Sequence, residues 1–239
     1  MKWNNNSRTL AVCTIVILVL LPACGGSSPT PLAVETVASE PTSGDIPATV
    51  PASDTAVSEP EGNASAEVIV YLSELPAGAL DELDFINDAN AAGSRLIGLP
   101  NNGDELDPPP ENDPHLTFDV PVQGGIPYRC WVHMKVGTPK GRSTANVVWV
   151  QFSDSVDDVG QESLRPNTDS YLTAQGPSQE GWTWVGCDQP GTDSYVYFQN
   201  TGDVTVRIQA GAEGVGIDQF ILSPVRFLDA PPTEPIVVK

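Results

Sequence analysis

The residue types best suited to chemistry alternate along one stretch, from Tyr128 to Lys135. In a β-strand successive side chains point to opposite faces, so this stretch divides into an apolar face and a polar, aromatic face. The apolar face, which we expect in the core, carries Tyr128, Cys130, Val132 and Met134, and the other carries Arg129, Trp131, His133 and Lys135. Aromatic rings beside hydrogen-bonding side chains can stack on a sugar ring and bind its hydroxyl groups.

A second stretch, 146–152, repeats this arrangement. Its apolar positions predict a core-facing set, which leaves Trp149 and Gln151 pointing away from the core. We therefore interpret Arg129, Trp131, Trp149 and Gln151 as candidate ligand-binding residues on a sheet surface. The alternative is that Trp131 and Trp149 simply pack beneath long loops, because large rings dominate burial.

Other stretches with period-two patterning must form the elements that position these residues. They are rich in Val, Ile, Tyr, Phe and Trp and are divided by Gly, Pro, Asn and Asp. We predict strands at Val68 to Leu72, Leu116 to Val122, Tyr128 to Val136, Asn146 to Phe152, Tyr195 to Phe198, Val204 to Ala210 and Gly216 to Leu222. The pattern predicts a hairpin turn at Asn200 to Asp203 and a helix only at Asp81 to Ala92. So many short strands indicate an all-β, antiparallel sandwich or barrel.

The N-terminus reads as an export signal. Lys2 and Arg8 precede an apolar run, Leu10 to Leu21, which is too short to span a membrane as a helix. The run ends in a segment, Leu21 to Gly26, that resembles a bacterial lipoprotein signal, with cleavage before Cys24 and lipidation of that cysteine. The alternative is an ordinary secretory cleavage region with an incidental cysteine. We expect anchoring at the cell membrane or outer membrane, facing the extracytoplasmic or extracellular side.

Three further regions follow the signal peptide, 1–23. Residues 24–64 are rich in Ser, Thr, Pro, Ala and Glu and contain no aromatic or basic residue; such a segment cannot build a core and predicts a disordered stalk. Residues 65–229 have the size of one domain, and residues 230–239 form a short Pro-containing tail. The expected contact with the membrane is through the lipid anchor only.

Composition limits the possible partners and reactions. With 31 acidic and 11 basic residues the net charge is −20, which argues against nucleic acid because phosphate binding needs a basic surface. Only 2 His residues are present, and no spacing of carboxylates singles out a catalytic pair. In an exported chain with Cys24 lipidated, Cys130 and Cys187 are the remaining thiols. We therefore expect a disulfide between them.

Four segments carry a family resemblance. They are Ile126 to Val132, Val148 to Asp154, Gly181 to Trp184, and Val204 to Gln209 followed by Gly214 to Pro224. Together they resemble the galactose-binding-like jelly-roll modules related to carbohydrate-binding module families 6 and 35. The most specific part is the ending Ile217 to Leu222. The resemblance implies a jelly-roll β-sandwich that binds sugars without catalysis and often holds a structural calcium ion.

The same resemblance implies roles for individual residues. Glu67 and Asp218 would be calcium ligands, as hard oxygen donors suit Ca²⁺, although Glu67 also reads as a solvated strand end. Trp182 and Trp184 match loop aromatics that stack on a sugar. Asn146 keeps one polar group where the family carries an Asn-Asp-Ser run.

The sequence thus predicts a cell-surface lipoprotein that binds carbohydrate. We expect Trp182 and Trp184 to stack on the ligand, and Asn146, Arg129 and Gln151 to hydrogen-bond to it. The alternative is a structural or adhesion protein of the cell envelope or an appendage, which binds protein partners through the same sandwich. No pattern supports an enzyme.

Overall fold

The computed structural model describes residues 67–100, 104–137, 146–190 and 194–239. The predicted signal peptide, the lipidation site Cys24 and the linker 24–64 lie outside the described residues. In the described part of the chain, no helix is long and apolar enough to cross a membrane.

Strands make up most of the described domain, together with short 3-10 helices at Leu72–Glu74, Ala77–Ala79 and Ala92–Ser94. The strands are β1 Val68–Tyr71, β2 Leu80–Asp81, β3 Asp84–Asn87, β4 Arg95–Gly98, β5 His115–Val122, β6 Tyr128–Val136, β7 Val147–Phe152, β8 Ser155–Val156, β9 Leu172–Gln175, β10 Gly181–Asp188, β11 Tyr195–Phe198, β12 Gly202–Ala210 and β13 Gly216–Ser223. All seven predicted strands are present.

The strands form two antiparallel layers, which confirms the predicted all-β sandwich. The first layer has the order β2-β5-β12-β7-β9, and the second has the order β3-β4-β13-β6-β10. In the second layer, β1 pairs with β13 and β11 pairs with β6. Strand β10 joins the layers, because it pairs with β6 along Gly181 to Gly186 and with β9 at Cys187 and Asp188.

The core fills the space between the two layers. The predicted core face of β6, with Tyr128, Cys130, Val132 and Met134, is fully buried there. Phe118 of β5 meets Phe220 of β13 edge to face across the layers, with ring centroids 5.4 Å apart. Such pairs add specific geometry to the burial of apolar area.

The predicted helix at Asp81 to Ala92 is wrong. This stretch contains β3, which pairs with β4, and Phe85 lies beneath the Arg95 guanidinium at 4.0 Å. Beyond β3, the Asp88 carboxylate accepts a hydrogen bond from the Asn90 N–H. Short polar side chains of this kind compete with helical backbone hydrogen bonds, and Phe85 favours a strand.

Two other local expectations also change. The turn at Asn200 to Asp203 does not form a hairpin, since β11 pairs with β6 and β8 whereas β12 pairs with β5 and β7. Trp182 and Trp184, expected as loop aromatics, lie within strand β10. Gly181 and Gly186 lower the strand propensity of this stretch, and pairing with β6 overrides that preference.

Candidate functional site

An aromatic row lies on the outer face of the second layer. Trp182 is paired with Lys135, and Trp184 with His133, across β10 and β6. The His133 ring stacks on Trp182 at 4.8 Å with an interplanar angle of 18°, and it lies 4.8 Å from Trp184 at 34°. The three rings therefore form a stack, with His133 in contact with both tryptophans, that is held by two adjacent strands.

His133 is fixed in this row by a buried carboxylate. Its Nδ1 lies 2.7 Å from Asp218 Oδ1, and Asp218 Oδ2 accepts the Ala92 N–H at 2.6 Å. His133 and Asp218 are both buried. Because both carboxylate oxygens have partners, Asp218 holds the histidine ring at a fixed position between the tryptophans.

The exposed end of the row carries an ion pair. Lys135 Nζ donates to Asp88 Oδ2 at 2.5 Å, and the Lys135 side chain is half exposed. The pKa of Asp88 is lowered from its ordinary value chiefly by this hydrogen bond, against the raising effect of desolvation. A charged donor and a charged acceptor therefore lie beside the Trp182 ring.

The C-terminal segment, residues 225–239, covers the rest of this face. Trp131 Nε1 donates to the Phe227 carbonyl at 2.7 Å, and Trp184 Nε1 donates to the Glu234 carbonyl at 2.8 Å. Gln219 exchanges two hydrogen bonds with the backbone of Val237. The outward face of β6 was predicted to meet water, but Arg129, Trp131 and His133 are buried, and for Trp131 the cover is this segment.

Arg129 is held by hydrogen bonds to Asp188 and Ser194 of the same chain. Its guanidinium makes two hydrogen bonds to the Asp188 carboxylate, and Nη1 also donates to the Ser194 carbonyl at 2.8 Å. A Cβ at Gly186 would come within 2.7 Å of Arg129 Nη2, so the glycine leaves room for this pair. The geometry makes Arg129 a structural anchor of β6, β10 and the chain before β11.

Trp149 and Gln151 lie on the first layer, away from the aromatic row. Gln151 is fully buried, and its Nε2 is within hydrogen-bond distance of the carbonyls of Arg165, Thr168 and Ser170, at 2.8 to 3.0 Å. Trp149 is buried against Tyr171, with ring centroids 6.0 Å apart. Both residues pack beneath residues 165–171, as the alternative interpretation of Trp149 expected.

Asn146 lies at the start of β7, at the end of the sandwich where β6 finishes. A Cβ on Gly176 would approach Asn146 Cβ at 3.2 Å and Val136 Cγ2 at 2.7 Å. The side chain is only 4% exposed, and its Nδ2 donates to the Pro177 carbonyl at 3.2 Å. Its Oδ1 is buried without a hydrogen-bond partner among the described residues.

The structure does not bring Glu67 and Asp218 together as calcium ligands. Val68 pairs with Leu222 and Tyr71 with Gln219, so Glu67 and Asp218 flank opposite ends of the β1–β13 ladder, about 17 Å apart along the strands. Glu67 Oε1 instead accepts the Arg226 N–H at 2.5 Å. Over the described ranges, no three His, Cys, Asp or Glu side chains are grouped to hold a metal. These two residues do not fit a shared calcium ion.

Cys130 and Cys187 face each other between the layers. Their sulfur atoms are 2.6 Å apart, and both residues are fully buried. Burial raises the pKa of the Cys130 thiol well above its ordinary value, and contact with Cys187 adds to this shift. The strand register therefore brings the two cysteines of the predicted disulfide side by side.

Three residues of the site were not selected from the sequence. Alternation placed His133 and Lys135 on the same face as Trp131, but their partner strand β10 was expected to be a loop. Asp88 lay in the predicted helix. The signal that could have found them is the spacing of Trp182 and Trp184, since two aromatics separated by one residue point the same way in a strand.

Similar solved structures are found, although no protein-family profile and no curated protein matches the chain. A GH26-CBM35 β-(1,4)-mannanase from Podospora anserina aligns over 71% of this chain at 13% identity and a TM-score of 0.43. The chain spans only 29% of that mannanase.

Two isolated modules align over nearly their whole length. The C-terminal CBM6 module of a laminarinase from Zobellia galactanivorans aligns over 66% of this chain and 99% of its own, at 10% identity and a TM-score of 0.41. A family 35 carbohydrate-binding module from Clostridium thermocellum aligns over 66% of this chain and 97% of its own, at 13% identity and a TM-score of 0.40. Both modules belong to the families that the sequence resembles.

Proposed function

We propose that this protein is a cell-surface lipoprotein whose β-sandwich binds carbohydrate without catalysing its conversion. The observation that carries the proposal is that Trp182 differs in its hydrogen bonding from Trp131 and Trp184, the two other tryptophans on this face. Trp131 and Trp184 donate their indole N–H groups to the C-terminal segment. Trp182 is only partly buried and keeps part of its ring surface exposed, and its buried Nε1 has no hydrogen-bond partner within the described ranges.

The surroundings of Trp182 suit a sugar. An indole ring offers an apolar face for the CH groups of a pyranose, and the half-exposed Lys135 ammonium offers a donor for hydroxyl groups. His133 holds the ring by stacking, so little side-chain entropy is lost on binding.

The hydrogen bonds of the carboxylates near the aromatic row support a non-catalytic role. Asp218 is held by His133 and Ala92, and Asp88 is held by Lys135 and Asn90. General acid and base catalysis needs carboxylates that can exchange protons with a ligand. These carboxylates instead orient neighbouring groups.

Removing the Trp182 ring should abolish most of the binding. We expect Trp182→Ala to weaken the affinity for a neutral oligosaccharide about 30-fold, the scale of an interface hot spot. Trp182→Phe should retain most of the affinity, because it keeps a stacking ring. The measurement is a glycan-array screen of the full chain in detergent, followed by calorimetric titration of the best ligand.

Trp149→Phe provides the matched control, because Trp149 is buried on the other layer. It should bind like the wild-type protein. Equal affinities for Trp182→Ala and wild type would remove Trp182 from the site. Failure of the folded protein to bind any glycan would exclude the carbohydrate function.

Lipid anchoring is part of the same proposal. Acylation of Cys24 would hold the protein stably on a membrane when more than one chain is attached, and residues 24–64 would act as an extended tether. In a bacterial host fed an alkyne-labelled palmitate, we expect the mature protein to carry the label and the Cys24→Ser variant to lack it. A labelled Cys24→Ser variant would contradict lipidation at this residue.

A protein-binding role is the second candidate, and one observation favours it. The outer face of the second layer binds the backbone of the C-terminal segment, and one of these contacts is the Tyr71 hydroxyl donating to the Val237 carbonyl at 2.9 Å. Aromatic and amide side chains that bind backbone carbonyls are a known way to recognise extended peptides. A crosslinked protein partner on cells, with no glycan binding, would favour this candidate.

A further inference from the structure

A cleft of about 310 Å³ opens at the other end of the sandwich from Trp182. Seven of its ten lining residues carry polar side chains: Asp157, Asp158, Ser163, Gln189, Ser194, Tyr195 and Tyr197. We call it the tyrosine cleft. Tyr195 pairs with Arg129 near the start of β6, whereas Trp182 pairs with Lys135 near its end. Six residues of strand separate these pairs, about 20 Å.

The two tyrosine rings line the cleft because of the strand alternation in β11. Val196 and Phe198 point into the core and are buried, so Tyr195 and Tyr197 share the opposite face. Tyr195 is 41% exposed. Residues two apart on a strand are about 7 Å apart along it, so the two phenol groups lie side by side along one wall.

Hydrogen bonds fix the backbone on one side of the cleft. The Ser163 N–H donates to the Ser155 carbonyl at 3.2 Å, and the Ser155 hydroxyl donates to the Ser163 carbonyl at 2.5 Å. Asp157 Oδ1 accepts the N–H groups of Val159 and Gln161 at 3.0 and 2.7 Å. The Asp157 carboxylate therefore closes its own loop and is held at the cleft.

The other side is held by the Arg129–Asp188 pair. Asp188 Oδ1 accepts the Ser194 N–H at 2.9 Å, and Ser194 Oγ accepts the Gln189 N–H at 2.8 Å. Arg129 also donates to the Ser194 carbonyl. Both walls are thus held in place before a ligand arrives, which reduces the entropy that binding must overcome.

The lining chemistry points to a neutral polyhydroxylated ligand. Phenol, hydroxyl and amide groups supply donors and acceptors, the carboxylates supply strong acceptors, and the rings supply apolar faces. Among the described lining residues there is no Lys, Arg or His. Together with a net charge of −20, this disfavours an anionic ligand.

We infer that the tyrosine cleft is a second saccharide site, which binds a neutral sugar unit independently of Trp182. The inference extends the proposed function from one site to two. Sites at opposite ends of one sandwich can engage two glycan segments at once, and such bivalent binding raises the apparent affinity when the geometry permits it.

The test observes the tyrosines directly. Full-length protein with ¹³C-labelled tyrosine is titrated in detergent with a panel of neutral glucose, mannose and galactose oligosaccharides, in the Trp182→Ala background. We expect the Tyr195 and Tyr197 signals to shift on addition of at least one panel member. Adding Tyr195→Ala should weaken that binding at least tenfold, and Tyr195→Phe should weaken it less.

Circular dichroism of each variant verifies folding. We expect the Tyr195 variants to fold, because the Tyr195 side chain is exposed. Tyrosine signals that stay unchanged across the panel would overturn the second site, even if the wild-type protein binds sugar through Trp182. Sugar binding that persists in the Trp182→Ala background and is lost with Tyr195→Ala supports the second site even if Trp182 has no role. Shifts caused only by a cationic probe, tetramethylammonium, would overturn the saccharide assignment.

Discussion

Replacing Asp218 by alanine is expected to lower the free energy of unfolding by about 3–5 kcal/mol. Asp218 is fully buried, and it accepts hydrogen bonds from His133 Nδ1 and from the Ala92 N–H. Removing the carboxylate leaves two buried donors without an acceptor, and the loss is then the full desolvation penalty of those groups. Chemical denaturation of wild type and variant measures the difference.

A double-mutant cycle isolates the pair from the cavity that Asp218→Ala leaves. His133→Phe keeps a ring between Trp182 and Trp184, and Asp218→Leu fills the carboxylate site with an apolar group. When both partners are replaced by apolar groups, stability is often close to that of the original pair. We therefore expect the double variant to be more stable than the sum of the two single changes predicts.

Unfolding measurements also test whether calcium stabilises the protein. Because Asp218 is satisfied by His133 and Ala92, and Glu67 lies at the far end of the β1–β13 ladder, stability should not depend on a metal shared by these residues. Thermal unfolding with calcium and with a chelator should give the same midpoint. A midpoint lowered by chelation, together with additive effects of His133→Phe and Asp218→Leu, would instead indicate that Asp218 binds calcium.

The fold was predictable because its strands alternate in apolar character. All seven expected strands formed, since each has one face in the core and the pattern reports that face directly. Strand β10 was missed because its outward positions hold Trp182 and Trp184, while Gly181 and Gly186 weaken the strand signal. Its pairing with β6 depends on a partner some 50 residues away, which local propensity does not encode.

The candidate site was predictable only in part. Alternation correctly pointed Arg129 and Trp131 away from the core, but it could not show what covers them. Trp131 is buried because Phe227 and the rest of the C-terminal segment pack on it, and Arg129 is buried with Asp188. Both covers are long-range contacts. Residue type alone therefore did not separate structural residues from Trp182, whose N–H has no partner in the described part of the chain.

Oxidation of Cys130 and Cys187 to a disulfide is expected to stabilise the protein by about 4 kcal/mol. The two residues lie 57 positions apart, and closing a loop of that length removes this much conformational entropy from the unfolded chain. For a domain of this size the midpoint of thermal unfolding should rise by about 8–16 °C. Thermal scans with and without reductant, together with mass-spectrometric counting of thiols, measure the effect.

The timing of this reaction follows from the burial of the thiols. Thiol–disulfide chemistry requires a thiolate, and burial raises the pKa of Cys130 well above its ordinary value. The folded, reduced protein should therefore oxidise slowly, and the bond should form while the chain is still folding outside the cytoplasm. The Cys130→Ala, Cys187→Ala double variant serves as the control, since reductant should leave its midpoint unchanged. The disulfide would be contradicted if the wild-type protein has the same midpoint with and without reductant and two thiols are counted in both conditions. Cys130 and Cys187 would then be a pair of buried apolar side chains.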